Sequence, residues 1–191
     1  GTVMNVCVFA SSSDAVDGVY REAAVDLGRR LGTAGHGLLF GGGDVGLMGA
    51  AARAAKAAGG RVTGVIVDFM NAEGVAYPGC DALHVAATMA ERKTLLEGMS
   101  DAYVALPGGF GTLDELAQVI TLAQLGLAEK PIALVNTAGF YDPLAAFFAR
   151  FFEKKFAKTA SEGLYRIVGN PAEAITYLEG WKPGPKVRKW F

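Results

Sequence analysis

The stretch PGGFGTLDE, Pro107 to Glu115, decides how the rest of the chain is read. Ahead of it SDAYVAL (Ser100 to Leu106) has the apolar character of a short buried strand, and LDELAQVITLAQLG beyond it has the spacing of a helix. A strand, a glycine-rich turn and a helix in that order leave the turn facing a ligand. Gly108, Gly109 and Gly111 let the main chain come close to a bound group, and free N–H groups at the start of the helix form an anion site suited to a phosphate. A structural reading fits the same letters, because TLDE matches a capping box with Thr112 as N-cap and Glu115 reaching back. The adjacent carboxylates of Asp114 and Glu115 repel a phosphate unless one of them serves another part of the ligand.

Composition narrows the classes. A chain of 191 residues, 51% hydrophobic and with 26 glycines, suits one compact α/β domain spanning residues 1–191. A formal net charge of -1 is no footprint for nucleic acid, and the short KVRK near the C-terminus reads as a solvated tail. No apolar run is long enough to cross a bilayer and no secretory core opens the chain, so no membrane partner and a cytoplasmic setting are expected. Cys7 and Cys80 form no CxxC, and His36 and His84 lie in different segments, so neither a metal nor a disulfide is expected.

Working outward, Val3 to Ala10 is a near-continuous apolar run, as in a central parallel strand covered on both faces. Ser11, Ser12 and Ser13 after it either help hold a phosphate or, with Asp14, cap the next helix, in which Tyr20, Ala24, Leu27 and Leu31 share one face. GLLF runs into a second glycine-rich strand end, Gly41, Gly42 and Gly43, followed by a helical stretch from Val45 to Ala58. Neither glycine loop is a Walker loop or a full GxGxxG with its acidic partner, which disfavours ATP hydrolysis and NAD chemistry. Arg61 to Val67 is a third strand, and Asp68 to Asp81 an irregular flap or solvated loop. After a short fourth strand, TMAERKTLLEGM reads as a helix capped by Thr88, with Met89, Leu95, Leu96 and Met99 on its buried side. Arg92 and Lys93 near its start oppose the helix dipole unless an anion is close; Glu91 or Glu97 is the structural candidate and a bound ligand the functional one. The stretch Tyr141 to Phe156 carries Phe147, Phe148, Phe151 and Phe152, too many for one core-facing stripe, and a homodimer is expected.

FGGGDVGLMG at Phe40 to Gly49, MAERK at Met89 to Lys93 and PGGFGTLDE at Pro107 to Glu115 together resemble the Lonely Guy family. Its members are phosphoribohydrolases that cleave N6-modified adenosine 5′-monophosphates to a cytokinin base and ribose 5-phosphate, and many relatives carry the older label "possible lysine decarboxylase". The resemblance implies a three-layer Rossmann-like fold, a parallel sheet with helices on both faces, and a dimer with its active site near the subunit interface. It places the catalytic pair on Arg92 and Glu115. It also implies nucleotide contacts at Ser12, Ser13, Gly42, Gly43, Met89, Lys93, Thr121 and the loop Gly108, Gly109, Phe110, Gly111 and Thr112, with no cofactor. Where many relatives have His, this chain has Ala90, and where many have an acidic residue it has Gly74. A non-catalytic nucleotide sensor or carrier on the same scaffold is the alternative. A pyridoxal phosphate decarboxylase follows the old label alone, since no lysine has a setting that suggests a Schiff base.

Overall fold

The computed structural model describes residues 1–190. Seven strands form one parallel sheet in the order β4-β3-β2-β1-β5-β6-β7. They are β1 (Asn5–Phe9), β2 (Gly37–Phe40), β3 (Val62–Val67), β4 (Ala82–Ala86), β5 (Ala102–Ala105), β6 (Ile132–Val135) and β7 (Arg166–Val168). Every residue of β2, β3, β5 and β6 is buried, which is why these strands read as continuous apolar runs without alternation.

Seven helices link and cover the strands: α1 (Gly18–Thr33), α2 (Gly46–Ala57), α3 (Asp68–Ala72), α4 (Met89–Met99), α5 (Phe110–Gln124), α6 (Asp142–Glu153) and α7 (Pro171–Gly180). Leu27 and Leu31 of α1, Leu47 of α2 and Leu178 of α7 pack with Val6, Leu38 and Phe40 on one face of the sheet. Leu96 of α4 and Leu116 and Val119 of α5 pack with Cys7, Phe9 and Tyr103 on the other. The three-layer α/β architecture is the expected one.

The chain runs outward from β1 to β4, then returns to the other side of β1 as β5. The carboxyl ends of β1 and β5 therefore lie at the topological switch point, where open α/β sheets hold their ligands. The serine turn follows β1 and the glycine loop at Gly108 to Gly111 follows β5, so the fold brings these two segments together. A hydrogen bond from the Ser11 N–H to the Pro107 carbonyl, 3.3 Å, joins them directly.

Local details depart from the expectations. The irregular flap contains the short helix α3, whose five residues are all on the surface. Asp14 does not cap α1, whose N-cap is Asp17 with no side-chain hydrogen bond. Its carboxylate instead accepts the Gly46 N–H at 2.9 Å, capping α2 from 32 residues away. That approach needs glycine, since Gly46 has φ 63° and a Cβ there would lie 2.4 Å from the Ser12 carbonyl carbon. Met89, expected on the buried side of α4, is 42% exposed, because the covered face of that helix runs through Arg92 and Leu96.

Candidate active site

Helix α5 begins at Phe110, two residues before the expected cap, with Gly109 as its N-cap and no side-chain hydrogen bond there. Thr112 is therefore inside the helix, and the capping-box reading of TLDE does not hold. The first helical bond to reach back to the cap runs from the Leu113 N–H to the Gly109 carbonyl, 3.0 Å. The N–H groups of Phe110, Gly111 and Thr112 lie in the first turn, where a helix offers no internal acceptor, and they point out of the positive end of α5. Thr112 is buried and supports the loop from beneath: a Cβ on Gly108 would come within 2.0 Å of its hydroxyl oxygen. Gly109, Phe110 and Gly111 are exposed, with Phe110 at 92%.

The second glycine loop has a different part. Gly42 and Gly43 are buried. The flap closes over them, with the Tyr77 N–H bonded to the Gly42 carbonyl at 2.8 Å and the Asp44 N–H to the Val75 carbonyl at 2.9 Å. The Asp14 carboxylate and the Ser11 carbonyl, which accepts the Met48 N–H at 3.1 Å, already occupy the start of α2. Of the two loops, only the one at Gly108 to Thr112 combines exposed backbone with an open helix N-terminus. Ser12 and Ser13 are exposed beside it; the Ser13 hydroxyl is engaged by the Ala15 N–H at 3.2 Å, whereas Ser12 makes no side-chain hydrogen bond among the described residues.

Glu115 lies on the face of α5 that carries Gly111 and Thr112, four and three residues earlier. It is partly buried in a crevice between α4 and α5, lined also by Phe9, Lys93, Leu96, Tyr103 and Gln118. Burial away from water pushes its pKa from 4.5 up to about 7; the Arg92 charge opposes the shift, Asp114 adds to it and Lys93 opposes it. No hydrogen bond or ion pair within the chain holds this carboxylate among the described residues.

Arg92 is 6% exposed and pairs with neither Glu91 nor Glu97. Its Nε donates to the Val65 carbonyl at 2.9 Å and its Nη2 to the Gly41 carbonyl at 3.0 Å, so the guanidinium ties β3 to the loop after β2. It acts on Glu115 through its charge and makes no ion pair with it. Lys93 reaches across to α5, where its Nζ donates to the Asp114 carboxylate at 3.1 Å. This answers the question raised by two adjacent carboxylates, since Asp114 is neutralised by a lysine while Glu115 turns inward. Glu91 caps its own helix, accepting the Ala87 N–H at 2.9 Å.

Two predicted residues sit less centrally. Met89 opens α4 on the surface. Thr121 is exposed, its hydroxyl donates to the Ala117 carbonyl at 2.7 Å, and it lies six residues beyond Glu115, about 9 Å further along the axis. A larger cavity of about 740 Å³, between the end of α5, residues 159–166 and the tail at 181–187, contains none of the predicted site residues. It opens at the amino ends of β6 and β7, across the sheet from the glycine loop.

Comparison with known proteins bears on the family and the fold. The family described as "possible lysine decarboxylase" matches residues 48–178. A probable cytokinin riboside 5′-monophosphate phosphoribohydrolase of Oryza sativa subsp. japonica is 37% identical over 93% of this chain and 73% of its own length. A cytokinin riboside 5′-monophosphate phosphoribohydrolase of Arabidopsis thaliana is 38% identical over 93% of this chain and 78% of its own. Among solved structures, the molybdenum cofactor carrier protein of Chlamydomonas reinhardtii superposes with a TM-score of 0.73 at 24% identity, covering 93% of this chain and 97% of that one. The molybdenum cofactor binding protein of Rippkaea orientalis gives 0.71 at 22%, covering 94% and 98%. At those identities the structural likeness speaks for the fold alone, whereas the extent of the family match and of the sequence relatives decides membership: this chain belongs to the possible lysine decarboxylase family, the Lonely Guy family of its motifs.

Proposed function

We propose that this protein hydrolyses the N-glycosidic bond of adenosine 5′-monophosphate or an N6-modified relative, releasing the base and ribose 5-phosphate. The observation that carries the reading is Glu115, a carboxylate poised near neutrality on the helix whose open N-terminus is an anion cradle. Glu115 is five positions along α5 from Phe110, about 8 Å along the axis, the scale of a ribose between its 5′-phosphate and its glycosidic bond. Breaking that bond develops positive charge on the sugar. Ionised Glu115 stabilises that charge while it orients the sugar hydroxyls or the attacking water, and the cradle at Gly108 to Thr112 holds the phosphate at the other end. Water supplies the oxygen that C1′ gains and the proton that leaves with the base, so no cofactor is needed. Arg92 ties β3 to the loop after β2, and its charge opposes the effect of burial on Glu115.

The names of the relatives support the reaction class and the substrate class. The test is chromatographic: incubation with adenosine 5′-monophosphate and with isopentenyladenosine 5′-monophosphate should yield base and ribose 5-phosphate in equal amounts. Tight binding of both nucleotides with no release of base would replace the hydrolase by a sensor or carrier.

A homodimer in the cytoplasm completes the reading. Helix α6 has no buried residue, Phe147 is 59% exposed and Phe156 beyond the helix is 85% exposed, so an apolar face is left for a second copy. Both cysteines are free, as in a reducing compartment. Sedimentation at micromolar concentration should give twice the chain mass of 19.9 kDa, and Phe147→Glu should reduce it to one. A monomer in the unaltered protein would remove the dimer.

A further inference from the structure

The connection between β6 and α6 delivers one side chain to the stem of the glycine loop. Asn136, directly after β6, accepts the Tyr141 N–H at 2.7 Å and donates to the Asp142 carboxylate at 2.8 Å. Its own N–H donates to the Val168 carbonyl at 2.8 Å. Between these anchors Ala138 has φ 52° and Gly139 φ 70°. A left-handed alanine persists where the surroundings over-determine the chain path. The product of this folding is the placement of Tyr141, 5% exposed, whose hydroxyl donates to the Leu106 carbonyl at 2.6 Å across 35 residues of sequence.

Leu106 is fully buried and stands two residues before Gly108. Two bonds from the β1 side already hold the same stem: the Leu106 N–H to the Phe9 carbonyl at 2.8 Å, and the Ser11 N–H to the Pro107 carbonyl at 3.3 Å. Tyr141 supplies the third, from the opposite side. Beyond Pro107 the loop is exposed and depends on its stem for direction.

We propose that Tyr141 is a positioning residue for the substrate's 5′-phosphate, its hydroxyl fixing the Leu106 carbonyl so that the N–H groups of Gly108 to Thr112 stay aimed at the anion. The assignment rests on the proposed phosphoribohydrolase and adds a residue outside the MAERK and PGGFGTLDE segments. Tyr141→Phe keeps the packed ring but leaves a buried carbonyl with no partner, a defect that relaxation of the stem relieves. Gly108 and Gly109, the part of the cradle ahead of the helix, move with the stem, while Glu115, inside α5, stays in place. The phosphate end of the substrate is therefore affected and the glycosidic end is not.

The experiment compares Tyr141→Phe with the unaltered protein in two measurements. Calorimetric titration with ribose 5-phosphate should show binding weakened about tenfold. In base release, KM for adenosine 5′-monophosphate should rise about tenfold with kcat within twofold, whereas release from adenosine, which has no phosphate, should be unchanged. Equal losses for nucleotide and nucleoside, or ribose 5-phosphate bound as tightly as before, would overturn the assignment even if thermal stability fell. Asn136→Ala loosens the same connection without touching the ring and should shift the titration in the same direction; it decides the matter if Tyr141→Phe does not fold. Absence of base release by the unaltered protein would count against the hydrolase, while the titration alone would still judge Tyr141.

Discussion

Glu115→Gln is expected to abolish base release, a loss on the order of 10³-fold or more, while nucleotide binding stays within a few-fold of the unaltered protein. The side chain keeps its shape, and only the ionisable oxygen is lost. The same substitution should make the protein more stable at alkaline pH. Glu115 has a pKa near 7 in the folded state against 4.5 without its burial, so the folded state holds the proton more tightly than the unfolded one. Below about 4.5 the group takes nothing from stability; as pH rises through 7, ionising it in the crevice costs roughly 3 kcal/mol. Glutamine removes that cost. Urea unfolding at pH 4 and pH 8 should therefore find the two proteins nearly equal at the lower pH and the variant up to about 3 kcal/mol more stable at the higher. A variant that is both active and no more stable at pH 8 would remove Glu115 from the mechanism and from the crevice.

Arg92→Ala carries the second large effect, and it is double. Two buried backbone carbonyls, Val65 and Gly41, lose their donor, and Glu115 loses the cation that most favours its ionised form. Stability should fall by about 2–4 kcal/mol in urea unfolding, and kcat/KM for base release by about 10² or more. The pH at which activity appears should move upward, since nothing then offsets the burial of Glu115 as strongly. Arg92→Lys keeps the charge, but an ammonium group cannot span two carbonyls as the planar guanidinium does, so it should recover part of the activity and little of the stability. An Arg92→Ala protein as stable and active as the original would contradict both roles.

The fold was readable because its central strands are buried on both faces and so spell continuous apolar runs, with serines after β1 and glycines after β2 and β5 ahead of a helix. The stretch at Pro107 to Glu115 told the same story at the site, since strand, turn and helix differ in period and composition over so few residues. What escaped was set by contacts across the sheet. Nothing local to Asp14 says that its carboxylate will cap α2 rather than α1, because that depends on β1 and β2 being neighbours. Arg92 reads either as the partner of Glu91 or Glu97 or as a ligand contact, yet the guanidinium goes inward to carbonyls 27 and 51 residues away. Thr112 looks like a cap by residue type; a glycine N-cap three positions earlier makes it a buried support instead. Tyr141 left one signal, a tyrosine directly ahead of an Asp-Pro helix start, and that reads as packing until its hydroxyl is seen at the loop stem.

If a carboxylate whose pKa burial lifts to about 7 drives the cleavage, the rate of base release from adenosine 5′-monophosphate between pH 5 and pH 9 follows its ionisation. Activity that rises with pH through a single ionisation near 7, and is lost at every pH in Glu115→Gln, is the predicted result. A profile that is flat across this range, or one that survives unchanged in the variant, would contradict it.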